Sequence, residues 1–465
     1  MEYPALKAPF KFSLLIACIV FLGIPAQVSA QSGRVYLDSL LKTASVNYPL
    51  IKAKRLQTQA LQSAVKYKEN GIIPTLTASY QADYATYNNI TGMIYPQYIT
   101  PISGPPSVSN NYSGVFGSAL ALDLLWEPIT FGQRGADIDL AKGRAQTGKA
   151  DEELTLFRQQ VYVVNAWLNY LIVNDLIKVY QEDFNRSEFN LKQAQSLVTS
   201  GLRPGTDSSS FSAEYTRNQI QLIAFERRRD STLITLKELV GGRLPAGMIL
   251  DTTLYKHLPV LTLADTSTSE HPEITLAKTA ITTNELALKS LQKSIMPHLT
   301  LWSTGYGRGS GIAANGAVNS SDGLGFQRYN YAVGAQISFS ILEMFRQKPL
   351  WRQHELNTAA SREQLNQTEL QLNSQKEIAD VALAKNLQSA GLAPRQYQSA
   401  LFSYQAIRAR YQSGLINYYD VIQAQQLLFQ SEAAVKIANY NAWKSLLSKA
   451  AYEGNLNLFL NQYGK

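Results

Sequence analysis

Two hydrophobic periods follow one another along this chain, and the succession occurs twice. Residues 37–68 mix apolar residues with Gln and Lys at helical spacing, which predicts helices broken near Pro49 and stopped by Gly71 and Pro74. The period then drops to two. Leu76, Ala78, Tyr80, Ala82 and Tyr84 alternate with Thr75, Thr77, Ser79, Gln81 and Asp83. After a polar, proline-bearing stretch at 88–113, Phe116, Leu120, Leu122, Leu124 and Trp126 face one way. Val115, Gly117, Ala119, Ala121 and Asp123 face the other, so the region reads as a hairpin with a long excursion at its tip. Residues 132–199 follow without a proline. There Leu154, Phe157, Val161, Val164, Leu168 and Leu171 step by three and four, the seam of a coiled coil.

The plan is then written again. Asn47-Tyr48-Pro49-Leu50-Ile51 is answered by Glu270-His271-Pro272-Glu273-Ile274, and Pro74 by Pro297, each proline opening a β-like run. Ser200-Gly201-Leu202 with Asp207 is answered by Ser413-Gly414-Leu415 with Asp420. In the second copy Tyr329, Tyr331, Val333, Ala335, Ile337, Phe339 and Ile341 alternate with small or polar residues. The partner run at 299–307 is less regular, because Trp302 and Tyr306 fall out of phase. A repeat this long predicts two copies of one structural unit.

The division that follows is a leader at 1–30, a first repeat at 31–240, an irregular connector at 241–269, a second repeat at 270–452 and a tail at 453–465. The first repeat holds a hairpin at 74–131, a long helix at 132–199 and a return helix at 208–240; the second holds their counterparts at 297–345, 346–412 and 419–452. Gly391 and Pro394 inside the second long helix predict a kink or short break and mark a candidate hinge.

A half-buried sheet of a soluble protein accounts for strand alternation of this kind. Tilted outer-membrane strands of ~9–11 residues, with a lipid-facing apolar band and aromatic girdles, account for it too. Small uncharged polar partners, long strands and 26 tyrosines point to the membrane. Leu76, Tyr80, Tyr84, Leu120, Leu122, Leu124, Trp126, Tyr331, Val333, Ile337 and Phe339 are then the lipid-facing residues. Four strands cannot close a barrel, since bacterial barrels start at ~8 strands, and an open edge in lipid leaves backbone groups unpaired. A membrane-embedded chain must share its barrel with further copies. The long helices, at ~1.5 Å per residue, reach roughly 100 Å and must lie side by side as a cylinder or stalk.

Composition changes this picture in one respect, the export signal. Lys7 and Lys11 precede the apolar run at 12–24, and Val28-Ser29-Ala30 offers a cleavage site before Gln31. Cys18 is the only cysteine, and Leu15-Ile16-Ala17-Cys18 resembles a lipobox, but the apolar run continues past it. Cleavage after Ala30 leaves a chain without disulfide or thiol chemistry. The formal charge of +8 becomes +7 without the leader and is spread out; Arg227-Arg228-Arg229, between Glu226 and Asp230, reads as a solvated helix face rather than a nucleic-acid site.

Helix, hairpin, long helix, Gly-Leu turn and return helix, given twice, resemble the TolC-like outer membrane efflux protein family. The likeness covers nearly the whole mature chain. It is carried by residues 37–54 with their Asn-Tyr-Pro, by Tyr411-Gln412-Ser413-Gly414-Leu415 with Asp420-Val421, and by the strand openings at Pro74 and Pro297. The resemblance implies a mixed α and β fold: a duplicated unit of long helices forming a periplasmic helical barrel, with four transmembrane strands per chain. It implies a homotrimer sharing a 12-stranded barrel, docked to a periplasmic adaptor and an inner-membrane pump of RND or ABC type. The assembly would pass small molecules, or proteins in type I secretion, through the outer membrane. Gly201, Leu202 and Asp207, with Tyr411, Gly414, Leu415 and Asp420, match the tips that meet the adaptor. Carboxylate rings near the entrance on the second long helix are also expected of the family. This chain has no Asp or Glu between Asp380 and Asp420 and carries Arg395, Arg408 and Arg410 instead, candidate entrance or gating residues.

No catalytic constellation is present. His257, His271, His298 and His354 lie in unrelated contexts, no glycine loop has the form that cradles phosphate, and neither metal nor cofactor is implied. The rival reading is an exported coiled-coil structural or adhesion protein with a soluble β domain.

Overall fold

Pro49 and Pro272 each open a helix at the position where a missing N–H leaves nothing unpaired. The computed structural model describes residues 34–86, 88, 108–242, 244, 249–250, 257–260, 270–313 and 317–463. The expected leader with Cys18, most of the excursion at 88–113 and most of the connector lie outside these residues. The elements run β1 (Arg34–Val35), α1 (Leu37–Asn47), α2 (Pro49–Glu69), β2 (Thr75–Ala85), β3 (Val115–Ile129), α3 (Gln133–Thr199) and α4 (Gly205–Leu239). They continue as β4 (Ile249–Leu250), α5 (Pro272–Lys293), β5 (His298–Ser310), β6 (Arg328–Ser338), α6 (Glu343–Gln412), α7 (Tyr418–Tyr452) and α8 (Asn457–Tyr463).

Strands β2, β3, β5 and β6 form one antiparallel sheet in that order, while β1 and β4 make a separate parallel pair. Register carries one apolar face across all four strands. Leu76 lies opposite Leu124, Tyr80 opposite Leu120, Trp126 opposite Leu301, and Leu299 opposite Ile337. The irregular β5 is explained on the other face: Trp302 lies over Gly334, whose missing side chain gives it room.

The helices form a single layer four across. α3 packs against α2 and α5 near the sheet and against α4 and α7 beyond them, and α6 flanks α5 and α7. The coiled-coil seam is buried at Leu154, Val164, Leu168 and Leu171. Midway along, α1 and α8 close the main core, where Trp443 meets Phe459 edge-on at 5.7 Å and Trp167 meets Tyr463 at 5.0 Å.

The second long helix carries its prolines without a break. α6 runs without a break from Glu343 to Gln412, through Gly391 and Pro394 and through Pro349 as well. An interior proline costs ~3 kcal/mol or more in lost hydrogen bonding and ring contact. Contacts on both sides hold the rod together: Leu383 and Ala390 before Pro394, and Ala400 and Tyr404 after it, are buried.

Candidate functional sites at the helix tips and the sheet wall

Both long helices end in the same way. Gly201 (φ 73°) and Gly414 (φ 78°) adopt the left-handed conformation that glycine takes at little cost. Leu202 N–H donates to the Leu197 carbonyl at 2.9 Å and Leu415 N–H to the Arg410 carbonyl at 3.0 Å, so each tip is a Schellman cap. The leucine of such a cap usually folds back on its helix; here Leu202 and Leu415 stand 71% and 69% exposed.

The two acids that follow do different work. Asp420, half-buried in the first turn of α7, has its backbone N–H capped by Asn417 Oδ1 at 3.3 Å. Asp207, in the first turn of α4, is buried and accepts a hydrogen bond from the Tyr411 hydroxyl at 3.2 Å. Burial, then the Asp207 charge and its hydrogen bond, push the Tyr411 phenol up to about 12. Arg203 completes the tie: its guanidinium lies 4.7 Å over the Tyr411 ring and donates to the Ile416 carbonyl at 2.5 Å. The arginine stands at one tip and the tyrosine at the other, so the pair bridges the two repeats.

The three entrance arginines are not brought together. Arg408 stacks over Phe189 at 5.3 Å and Tyr404 at 5.8 Å, on the side of α6 packed against its neighbours. Arg395 and Arg410 are exposed on the opposite side. Above the tips a buried polar seam interrupts the apolar contacts. Gln425 donates to Asp183 at 3.0 Å, Asn190 to Gln425 at 2.7 Å, and Arg186 to Glu432 at 3.0 Å. Burial raises the Asp183 carboxyl, and Gln425, Arg186 and Arg217 oppose the rise.

On the sheet, Leu76, Tyr80, Tyr84, Leu120, Leu122, Leu124, Trp126, Tyr331, Val333 and Ile337 are all exposed on the one apolar face; Phe339, just past β6, is exposed as well. No helix among the described residues is long and apolar enough to cross a membrane, and no cluster of His, Cys, Asp and Glu among them could hold a metal ion.

The fold is a duplicated unit of long paired helices with Schellman tips, joined to a four-stranded sheet that is apolar on one face. The family described as outer membrane efflux protein matches residues 40–242 and 264–448, and this chain belongs to it. The family places it in the outer membrane and gives it a role in efflux. The fold is shared with VceC of Vibrio cholerae (15% identity, TM-score 0.71, 90% of this chain and 96% of that one). It is shared with the MtrE channel of Neisseria gonorrhoeae (15%, 0.70, 90% and 89%) and the CmeC channel of Campylobacter jejuni (15%, 0.70, 90% and 85%). Sequence comparison with curated proteins finds no match.

Proposed function

We propose that three copies of this chain close one twelve-stranded barrel and one helical tunnel, making the exit duct of a tripartite efflux or type I secretion system. The observation that carries this reading is the sheet: four strands, apolar on one face, with β2 and β6 as edges that pair with no other strand among the described residues. Such an edge is untenable in lipid, and β6 of one copy meeting β2 of the next removes every edge.

The helices favour the same head-to-tail closure. On α6, Leu372, Ala379, Leu383 and Ala390 are buried, while Leu356, Leu370, Val381 and Leu392 are exposed. At ~3.6 residues per turn these are two stripes on opposite faces. On the other margin of the layer, α4 exposes Ile220, Ile223 and Ile234. A heterologous contact between unlike margins closes as a ring. A soluble β domain on a coiled-coil stalk leaves the apolar sheet face without a partner.

Exposure of Leu202 and Leu415 supports their reading as contacts for a periplasmic adaptor, with a pump of RND or ABC type supplying the energy. The native mass of the detergent-extracted particle, corrected for bound detergent, tests the assembly. Three copies are expected, and a monodisperse monomer would sink the duct. Replacing Leu202 and Leu415 by Asp tests the docking: export should fall with the trimer level unchanged, and unimpaired export refutes adaptor contact at the tips.

A further inference from the structure

The register of β5 and β6 sets Arg308 directly opposite Arg328. Both lie on the face away from Leu299, Leu301, Val333 and Ile337, which is the polar inner wall, because successive strand residues point to opposite faces. Like charges directly opposite destabilise an antiparallel pair. Neither arginine forms an ion pair among the described residues, and both are exposed; Arg328 Nη1 donates to the Gln327 carbonyl at 2.9 Å. The wall at this level continues through Ala119 and Gln81, which are uncharged.

The inner-wall carboxylates stand off. Asp83 lies one pleat nearer the loops and two strands away, over Gly117, at roughly 12 Å by strand geometry. Asp123 is four residues nearer the helices, roughly 13 Å along the strand. The two guanidinium forks spring from Cβ atoms ~4.5–5.5 Å apart, and such a fork matches carboxylate and phosphate oxygens two at a time.

We infer that Arg308 and Arg328 form an anion-recruiting belt on the inner wall near the outer mouth of the duct, admitting small organic anions such as carboxylates and phosphates ahead of cations. The inference rests on the shared barrel, where three-fold repetition places six guanidinium groups on one ring; Asp322, in the turn beyond these strands, accepts from Asn319 at 2.8 Å. Rings of arginine or lysine line anion-selective pores. The distance to the pore axis makes the effect salt-dependent, since the field of a charge reaches ~30 Å at 0.01 M salt and only ~3 Å at 1 M.

The test is the reversal potential of single trimers in a planar bilayer under a potassium chloride gradient, at about 0.01 M and again near 1 M. Wild type should prefer chloride at low salt and lose that preference at high salt. Arg308→Gln with Arg328→Gln should lose most of the low-salt preference at unchanged high-salt conductance, while the paired lysine variant keeps its sign. If the double glutamine variant does not assemble, the two single variants carry the same comparison. A conducting particle whose low-salt reversal potential ignores these substitutions overturns the belt. A wild-type particle that is monomeric and never conducts overturns the duct and the belt together, and native mass tells the two failures apart.

Discussion

Tyr411 and Asp207 meet across the two helix tips of a single chain, the phenol donating to the carboxylate over 3.2 Å with both side chains buried. Because 204 residues separate them, this bond, together with the Arg203 contacts, ties the first repeat's tip to the second's. Tyr411→Phe removes the donor and leaves a buried carboxylate short of a partner, at a cost of about 1–3 kcal/mol. The tips should be nicked faster by protease in the Tyr411→Phe variant than in wild type, and equal rates would refute the tie. The raised phenol keeps this bond intact at every pH below its ordinary 10, losing it only as the pH climbs toward about 12.

His271 gives a pH dependence of the opposite sense. Its Nδ1 accepts the Glu273 backbone N–H at 3.1 Å as the N-cap of α5, so Nε2 carries the proton and donates to the Ala451 carbonyl at 3.2 Å. Burial lowers its pKa; the Ala451 hydrogen bond and Glu273 oppose this, and Lys376 and Arg158 add to it. A depressed histidine contributes stability that is full above its unfolded value near 6.5 and is lost as the pH falls through the folded value. Thermal stability should therefore drop between pH 7 and 5, and His271→Asn, which keeps a capping oxygen, should flatten that slope. An unchanged slope refutes the assignment.

Asp183 is a buried charge whose burial opposes ionisation. Asp183→Asn keeps an acceptor for Gln425 and removes the charge, so stability at neutral pH should hold or rise. Asp183→Leu strands the Gln425 amide and should cost about 1–3 kcal/mol. Denaturation of the two variants side by side checks the order, and a more stable leucine variant would contradict it.

The sheet orientation is tested by neighbours one residue apart. Leu122→Arg places a charge toward lipid at a cost of about 2–4 kcal/mol near the midplane, whereas Ala121→Arg points it into the wet interior. The amount of protein recovered in the outer-membrane fraction should fall sharply for Leu122→Arg alone. Equal losses would mean that the two faces are not distinguished by lipid.

Much of the fold was legible because its signals are local. Proline at N1, glycine in a left-handed cap and a period of two each act within a few residues, so the ends of α3 and α6 and the faces of β2, β3 and β6 could be read directly. What escaped depends on distant partners. The Trp302 phase in β5 makes sense only beside Gly334, on another strand. The unbroken α6 at Pro394 reflects side chains buried on neighbouring helices. Arg203 follows the first Gly-Leu turn, whereas Ile416 stands in the same place after the second. The complement of Arg203, a tyrosine at the second tip alone, was the available signal, and pairing the two required the repeats to be placed in contact. His271 occupies the place of Tyr48, which has no side-chain cap, and its capping role depends on ring orientation that the aligned repeats do not show.

In the proposed ring of three copies, the two unlike margins of each chain have a genetic consequence. A chain spoiled at β6 alone keeps a sound β2 edge and still joins a ring through it, so it is incorporated rather than discarded. In cells making equal amounts of sound and spoiled chains, only about one three-copy ring in eight contains sound copies throughout. Lesions confined to one margin should therefore behave as dominant, while lesions that unfold the whole chain should behave as recessive.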